Sequence, residues 1–412
     1  MNASAPTAGL RGSGWNPDLL PAGTKVEIQR LTTADGAQAT GCLYSRGGEK
    51  TVAFIMHPRE MTLTFYAIPY LLEAGIACWS QGARTTGNDL RLEHELAIQD
   101  AAAGIAFLRE RFERVLSLGV SGGASLIAFY NQQALLAPDA RIARTPSGRP
   151  TKLNLATMPA LDGFMFISPH PGQGKLLLNE IDPSVVDETD ARSIDPDLFP
   201  FSPKNGYARP PEGAHYDPDF LARYRVAQRR RVERIDAFAL EKVAEKQEAR
   251  SRLKAGTATP LDRIVAAHQP IFQVWRTDAD PRCFDLSLDP SDRSFGSLWG
   301  PDPFASNFGA VGFGRVCTPE SWLSTWSGVT SNAAFEKTGG AIHQPVMMIE
   351  MTGDNSVFPS DLDGIFASIG SANKQRAKVR GNHHGLALTP GETSGQTLAC
   401  NLLTAWIEET FK

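Results

Sequence analysis

Short apolar runs alternate with stretches of helical period through the first 167 residues. From 25 to 45, two strand-like runs (KVEIQRLTT and AQATGCLYS) flank Ala-Asp-Gly, which predicts an opening antiparallel hairpin. TVAFIM (51–56) ends at His57-Pro58 and is apolar without a break, as a strand buried on both faces must be. A helix is expected over about 61–74, closed by Gly75, and IACWSQ (76–81) forms the next buried strand. Apolar groups at three- and four-residue spacing predict a helix over about 92–111, followed by the strand VLSLGV (115–120) and a helix in GASLIAFYNQQALL. After a proline-rich stretch over 138–158, FMFI (164–167) supplies the sixth strand. This rhythm predicts an α/β fold: a mostly parallel, doubly wound sheet with helices on both faces.

The rhythm then stops. Residues 168–342 hold many prolines, one long charged helix over about 217–254, and aromatics around Trp275, Trp299, Trp322 and Trp326, and read as an inserted, mainly helical cap. Alternation resumes at PVMMIEM (345–351), followed by GDNSVFP, a short helix near 361–369, the strand RAKVRG, the sequence NHHG and a last helix over about 395–411. The expected organisation is a flexible lead-in (1–23), a core from two segments (24–167 and 343–412) and a cap between them (168–342).

Charge narrows the partners. Among 412 residues, 41 basic against 45 acidic side chains give a net charge of -4, too balanced for a clamp that neutralises many phosphates. The five cysteines (42, 78, 283, 317, 400) show no CxxC spacing and are expected to be reduced and buried in a cytoplasmic protein. The first 23 residues lack a basic start followed by an apolar run, and nothing approaches about 18 consecutive apolar residues, so no secretory signal and no membrane span are expected. No HExxH or comparable ligand spacing appears, and neither metal nor cofactor is expected.

The strongest chemical signal is Gly119-Val120-Ser121-Gly122-Gly123 between a strand and a helix. A serine in a strained strand-to-helix turn leaves no room for side chains two positions before and after it, so glycine is required at both. The turn projects the hydroxyl off the sheet's carboxyl edge and sets the next amides at a helix N-terminus, where they stabilise negative charge. A glycine-bearing phosphate turn is the competing reading.

With its strand-end His-Pro turn, GxSxG, later aspartate and terminal histidine in that order, the chain resembles the α/β-hydrolase superfamily over about 25–167 and 343–411. Arg84-Thr-Thr-Gly-Asn-Asp looks like that family's arginine-bearing loop, and GSLWG and WLSTWSG are similar to a group of bacterial hydrolases with a large cap. The resemblance implies a serine nucleophile at Ser121, an orienting acid after the strand PVMMIEM, and a base after the last strand. Asp354 in Thr-Gly-Asp-Asn is the expected acid, with Asp361 and Asp363 as weaker alternatives explained by helix capping. His384 is the expected base, Gly381 standing as the glycine of the family's Gly-x-x-His, and His383 then becomes a neighbour lining the pocket; the exchanged assignment, with His383 as base, is the alternative. For the oxyanion, the resemblance implies the amides of Gly122 and, because Pro58 has none, Arg59, with Glu60 in reserve and His57 bracing the turn. His-Pro stands where the family more often has His-Gly. The histidines at 94, 170, 215, 268 and 343 read as surface or packing residues.

Trp299, Trp322 and Trp326 are expected either to wall a substrate pocket or to form the cap's own core. Arg293 and Arg315 read as carboxylate holders or as surface ion pairs. The helix with Arg229, Arg230 and Arg231 reads as a solvated arm or a homodimer contact. These expectations converge on a hydrolase of a small to medium, largely hydrophobic ester, lactone or thioester through an acyl-enzyme on Ser121. A C–C bond hydrolase acting on a vinylogous diketone with the same triad and a catalytically silent ligand-binding member are the alternatives.

Overall fold

The Asp-Gly hairpin forms: in the computed structural model, β1 (Lys25–Thr32) and β2 (Gln38–Ser45) pair antiparallel, with Gly36 in the turn at φ 87°. The structure describes residues 17–309 and 311–411, so the expected lead-in lies outside the described residues as far as residue 16. Residues Pro17–Leu19 form a 3₁₀ turn.

Six further strands complete the sheet: β3 (Thr51–His57), β4 (Ala77–Gly82), β5 (Arg114–Val120), β6 (Gly163–Ile167), β7 (Val346–Met351) and β8 (Lys374–Val379). The order is β1-β2-β4-β3-β5-β6-β7-β8, antiparallel at β1-β2 and β2-β4 and parallel at every other pairing. The unbroken apolar runs are the strands covered on both sides. Val52, Phe54 and Met56 of β3 pack beneath α2 (His94–Arg109) and α3 (Gly122–Ala134), while Ala53 and Ile55 face α1 (Ala67–Glu73) and the C-terminal helix.

Between β6 and β7 the chain departs from the sheet. This insertion holds α4 (Gln173–Glu180), the 38-residue α5 (Pro218–Ala255) and α6 (Pro260–Ala267), a π-helical turn at Trp322–Trp326, and long irregular stretches. Helix α5 starts where Asp217 accepts from the amides of Asp219 and Phe220, and stops at Gly256 (φ 72°). It is not a free arm: Tyr224, Gln228, Arg231, Val232, Ile235 and Ala239 form a buried stripe, and Arg231 pairs with Glu188 at 2.7 Å while Arg229 and Arg230 stay exposed. After β7 come α7 (Pro359–Ser368) and α8 (Gly395–Phe411). The five cysteines are buried and unpaired. Among the described residues, no helix is long and apolar enough to cross a membrane.

Candidate active site

Strand β5 ends at Val120, and the next residue carries the strain. Ser121 has φ 54° and ψ −126°, a conformation that L residues avoid, and the turn is pinned by its N–H on the Ile167 carbonyl (3.1 Å) and by the His170 N–H on its own carbonyl (3.0 Å). The flanking glycines are obligatory: a Cβ at Gly119 would stand 2.7 Å from Ala124 Cα, and one at Gly123 2.5 Å from the Met56 carbonyl oxygen. The part-exposed hydroxyl projects beyond the carboxyl edge of the sheet into a cavity of about 390 Å³.

A three-member chain meets that hydroxyl. His383 Nε2 lies 3.2 Å from Ser121 Oγ, and His383 Nδ1 lies 2.7 Å from Asp354 Oδ2. Asp354 follows β7, is 2% exposed, and its other oxygen accepts the amides of Ser356 (2.8 Å) and Val357 (3.0 Å), so both carboxylate oxygens are held. The sequence expectation had the two histidines exchanged. In the turn after β8, Asn382 Oδ1 accepts the amides of His384 (3.0 Å) and Leu386 (2.9 Å), which turns His383 inward and leaves His384 on the cavity wall, edge-on to the His383 ring at 5.0 Å. Asp361 and Asp363 are elsewhere engaged, with Arg282 (3.0 Å) and Arg376 (2.5 Å).

The turn after β3 also departs from expectation. His57 Nδ1 accepts the amides of both Arg59 and Glu60 at 3.2 Å, so His57 braces the turn and takes up the amides expected to face an oxyanion. Burial holds this imidazole below its ordinary pKa, which keeps Nδ1 free to accept. The Arg59 guanidinium grips Asp89 (Nη2 to Oδ2 2.6 Å) and lies over the rings of Phe313 and Trp326, while the Glu60 side chain is exposed at the cavity mouth. The amide of Gly122 opens α3 directly after the nucleophile, the one expected oxyanion donor whose placement the turn preserves.

Sequence reasoning passed over three residues here. His170, 1% exposed, places Nε2 3.1 Å from Ser121 Oγ and 3.3 Å from Ser356 Oγ, and burial with the neighbouring imidazoles drives its pKa well below the ordinary value. His94 Nε2 meets Gln173 Oε1 at 3.0 Å, and Gln173 lines the cavity. A positional signal existed for His170 and Gln173: strand β6 pairs with β5, so residues just past its end arrive beside the residue just past β5.

The cavity wall is apolar where a substrate would rest: Met61, Phe65, Val120, Leu298, Trp299 and Phe313. Of the three tryptophans expected there, Trp299 contributes. Trp322 and Trp326 are fully buried in the insertion's own core with Leu176, Leu177, Val232 and Ile235, and Trp322 Nε1 donates to Asp236 (2.7 Å). Among the described residues, Arg293 and Arg315 form no ion pair, and both serve backbone carbonyls instead. Arg293 donates to the carbonyls of Arg282, Leu288 and Asp289, and Arg315 to those of Ser306, Asn307 and Gly309. Arg84 bridges Asp35 in the hairpin turn to Asp100 in α2. Among the described residues, no group of three or more His, Cys, Asp or Glu side chains is arranged to hold a metal.

No family model matches the chain, and no curated protein matches it. Solved structures do. DcsB, in complex with its substrate analogue, aligns over 94% of this chain and 100% of its own with TM-score 0.51 at 11% identity. An α/β hydrolase, GrgF from Penicillium sp. sh18, aligns over 94% and 99% with TM-score 0.47 at 12% identity. The Pyrococcus furiosus esterase Pf2001 aligns over 97% and 95% with TM-score 0.45 at 11% identity. The mixed eight-stranded sheet, the strained serine after β5 and the late Asp and His at the ends of β7 and β8 together define the architecture: the chain has the α/β-hydrolase fold.

Proposed function

We propose that the protein is a serine hydrolase that cleaves a carboxylic ester, or a lactone or thioester, of a small to medium and largely hydrophobic substrate. The observation that carries this reading is the unbroken chain from Ser121 Oγ through His383 to Asp354, at 3.2 and 2.7 Å. A serine hydroxyl is a weak nucleophile until a base takes its proton, and an imidazole serves only when its other nitrogen is held. Ser121 Oγ attacks the substrate carbonyl as its proton passes to His383 Nε2. Asp354 stabilises the imidazolium through Nδ1–H, and the Gly122 amide donates to the oxyanion. Collapse of the tetrahedral adduct expels the alcohol, which takes the proton from His383. A water, deprotonated by the same nitrogen, then attacks the acyl-enzyme, and the acid leaves with Ser121 restored. His170, neutral and against the same hydroxyl, limits the positions Oγ can adopt. The apolar wall and the cavity of about 390 Å³ support a hydrophobic acyl or alcohol group.

The test is a panel of p-nitrophenyl esters, lactones and amides run against wild type and Ser121→Ala, with fluorophosphonate labelling located by mass spectrometry. Ester turnover abolished in the variant, with the phosphonyl adduct on Ser121, is the expected result. A variant as fast as wild type would remove Ser121 from the chemistry.

A further inference from the structure

We propose that the side-chain carboxamide of Gln173 is the second hydrogen-bond donor to the oxyanion, beside the amide of Gly122. The inference rests on the Ser121 hydrolase reading and deepens it. A tetrahedral intermediate needs donors converging on one oxygen, and a single amide is a weak cradle. The backbone amides that would supply the other donor, those of Arg59 and Glu60, point at His57 Nδ1.

Gln173 is 2% exposed, opens α4, and lines the cavity with Ser121. Which end of its amide faces the nucleophile is decided by His94. The His94 ring is buried and its Nδ1 has no partner among the described residues. A sealed-in N–H without an acceptor costs more than a lone pair without a donor, so the proton belongs on Nε2, which donates to Gln173 Oε1 at 3.0 Å. Burial lowers the His94 pKa to about 4, so this neutral arrangement holds at working pH. With Oε1 engaged, the NH₂ group takes the opposite side. There it lies 3.0 Å from where a Cβ on Gly122 would stand, and no protein acceptor meets it among the described residues. A donor on the cavity wall, beside Gly122 directly after the nucleophile and without a protein acceptor among the described residues, is suited to an oxygen that appears only during reaction.

The support behind it is rigid. Gly172 precedes Gln173 at φ 145°, where a Cβ would strike the Ala333 carbonyl oxygen at 2.6 Å. His94 is fixed by its own amide on Ser324 Oγ (2.9 Å), and Ser324 Oγ donates to Glu95 at 2.5 Å. Residues of the insertion thus reach the reacting centre from both directions, Gln173 as donor and Ser324 as the anchor of its partner.

The experiment measures p-nitrophenyl butyrate turnover for wild type, Gln173→Ala, Gln173→Glu and Ser121→Ala, with inhibition by butylboronic acid, which forms a tetrahedral adduct on an active serine. Expected for both Gln173 variants is a fall in kcat of about 10²–10³-fold with KM changed less than about threefold, and a comparable weakening of boronate inhibition. Gln173→Glu preserves the shape of the side chain and carries the test should Gln173→Ala melt early by circular dichroism. Wild-type kcat in a folded Gln173 variant, or a rise confined to KM, would overturn the assignment while an inactive Ser121→Ala left the hydrolase reading standing. Turnover in Ser121→Ala equal to wild type would overturn both.

Discussion

The sheet and the insertion satisfy their buried backbone by different means. In the sheet, ladder bonds consume the amides and carbonyls, so strands such as β3 and β7 fill both faces with Val, Ile, Met and Phe. Among the described residues, the irregular stretches of the insertion have only one strand pairing, two residues antiparallel at 272–273 with 316–317, and long polar side chains take the place of a ladder elsewhere. Arg293 and Arg315 each donate to several carbonyls, Gln228 reaches those of Asn179 and Ile181, and Arg231 reaches that of Asp182. An arginine carries five donors in a fixed fork, which suits it to a coil with unpaired carbonyls. The insertion's charge is therefore internal structure as much as surface. The proposed site lies where the two regimes meet, with Ser121, Asp354 and His383 following core strands and Gln173 and His170 following β6 into the insertion.

The largest expected effect belongs to the core side of this boundary. His383→Ala should lower kcat for an ester substrate by about 10³–10⁵-fold, whereas His384→Ala should cost less than about tenfold. Both variants should unfold near the wild-type temperature, because each ring lies at the cavity rather than beneath the sheet. Comparable losses in the two variants would show that the turn at Asn382 does not hold the registers apart.

An intermediate effect comes from removing one ion of the insertion. Arg282 pairs with Asp280 (2.8 Å) and Asp361 (3.0 Å), and its guanidinium lies 4.0 Å from the centroid of Phe358. Arg282→Met leaves the buried Asp280 and the part-buried Asp361 short of their counter-charge, a change that typically costs about 3–5 kcal/mol for a buried pair. Urea unfolding should register that loss, and activity should fall with it, since Phe358 lies at the end of the loop whose amides hold Asp354. Unaltered stability would mean that Arg225, 2.7 Å from Asp280, suffices alone.

This contrast explains what the sequence made legible. Strand positions and the serine turn follow from short unbroken apolar runs and from glycines whose Cβ positions are sterically closed, both readable along the chain. The His383/His384 choice was not local: it turns on Asn382 accepting two amides across a turn, a geometry that His-His adjacency leaves open. Trp322 and Trp326 were ambiguous because an aromatic is equally at home in a pocket wall and a core, and only the partners Leu176, Val232 and Asp236 decide. His94 was illegible in principle, since its significance depends on Gln173, 79 residues later.

The smallest expected effect tests whether the seam between the regions obeys the insertion's rule. Glu93 precedes α2, beside Leu92 and His94, whose backbone groups bond to Thr325 and Ser324 of the insertion. It is 4% exposed, and desolvation raises its pKa from 4.5 to about 7 against the pull of Arg149, which meets Oε1 at 2.7 Å but is itself half exposed. A carboxyl whose folded pKa exceeds its unfolded one binds more protons when folded between those two values. Stability must then decline as pH rises from about 4.5 to about 7 and level off above. Glu93→Gln removes that titration while keeping an acceptor for Arg149. Urea unfolding between pH 5 and pH 8 should show wild type losing ground steadily to the variant, by up to about 3 kcal/mol at pH 8. Parallel stability curves for the two proteins would mean that Arg149 fully compensates the buried charge, and that the seam is held as the sheet is, without ionic strain.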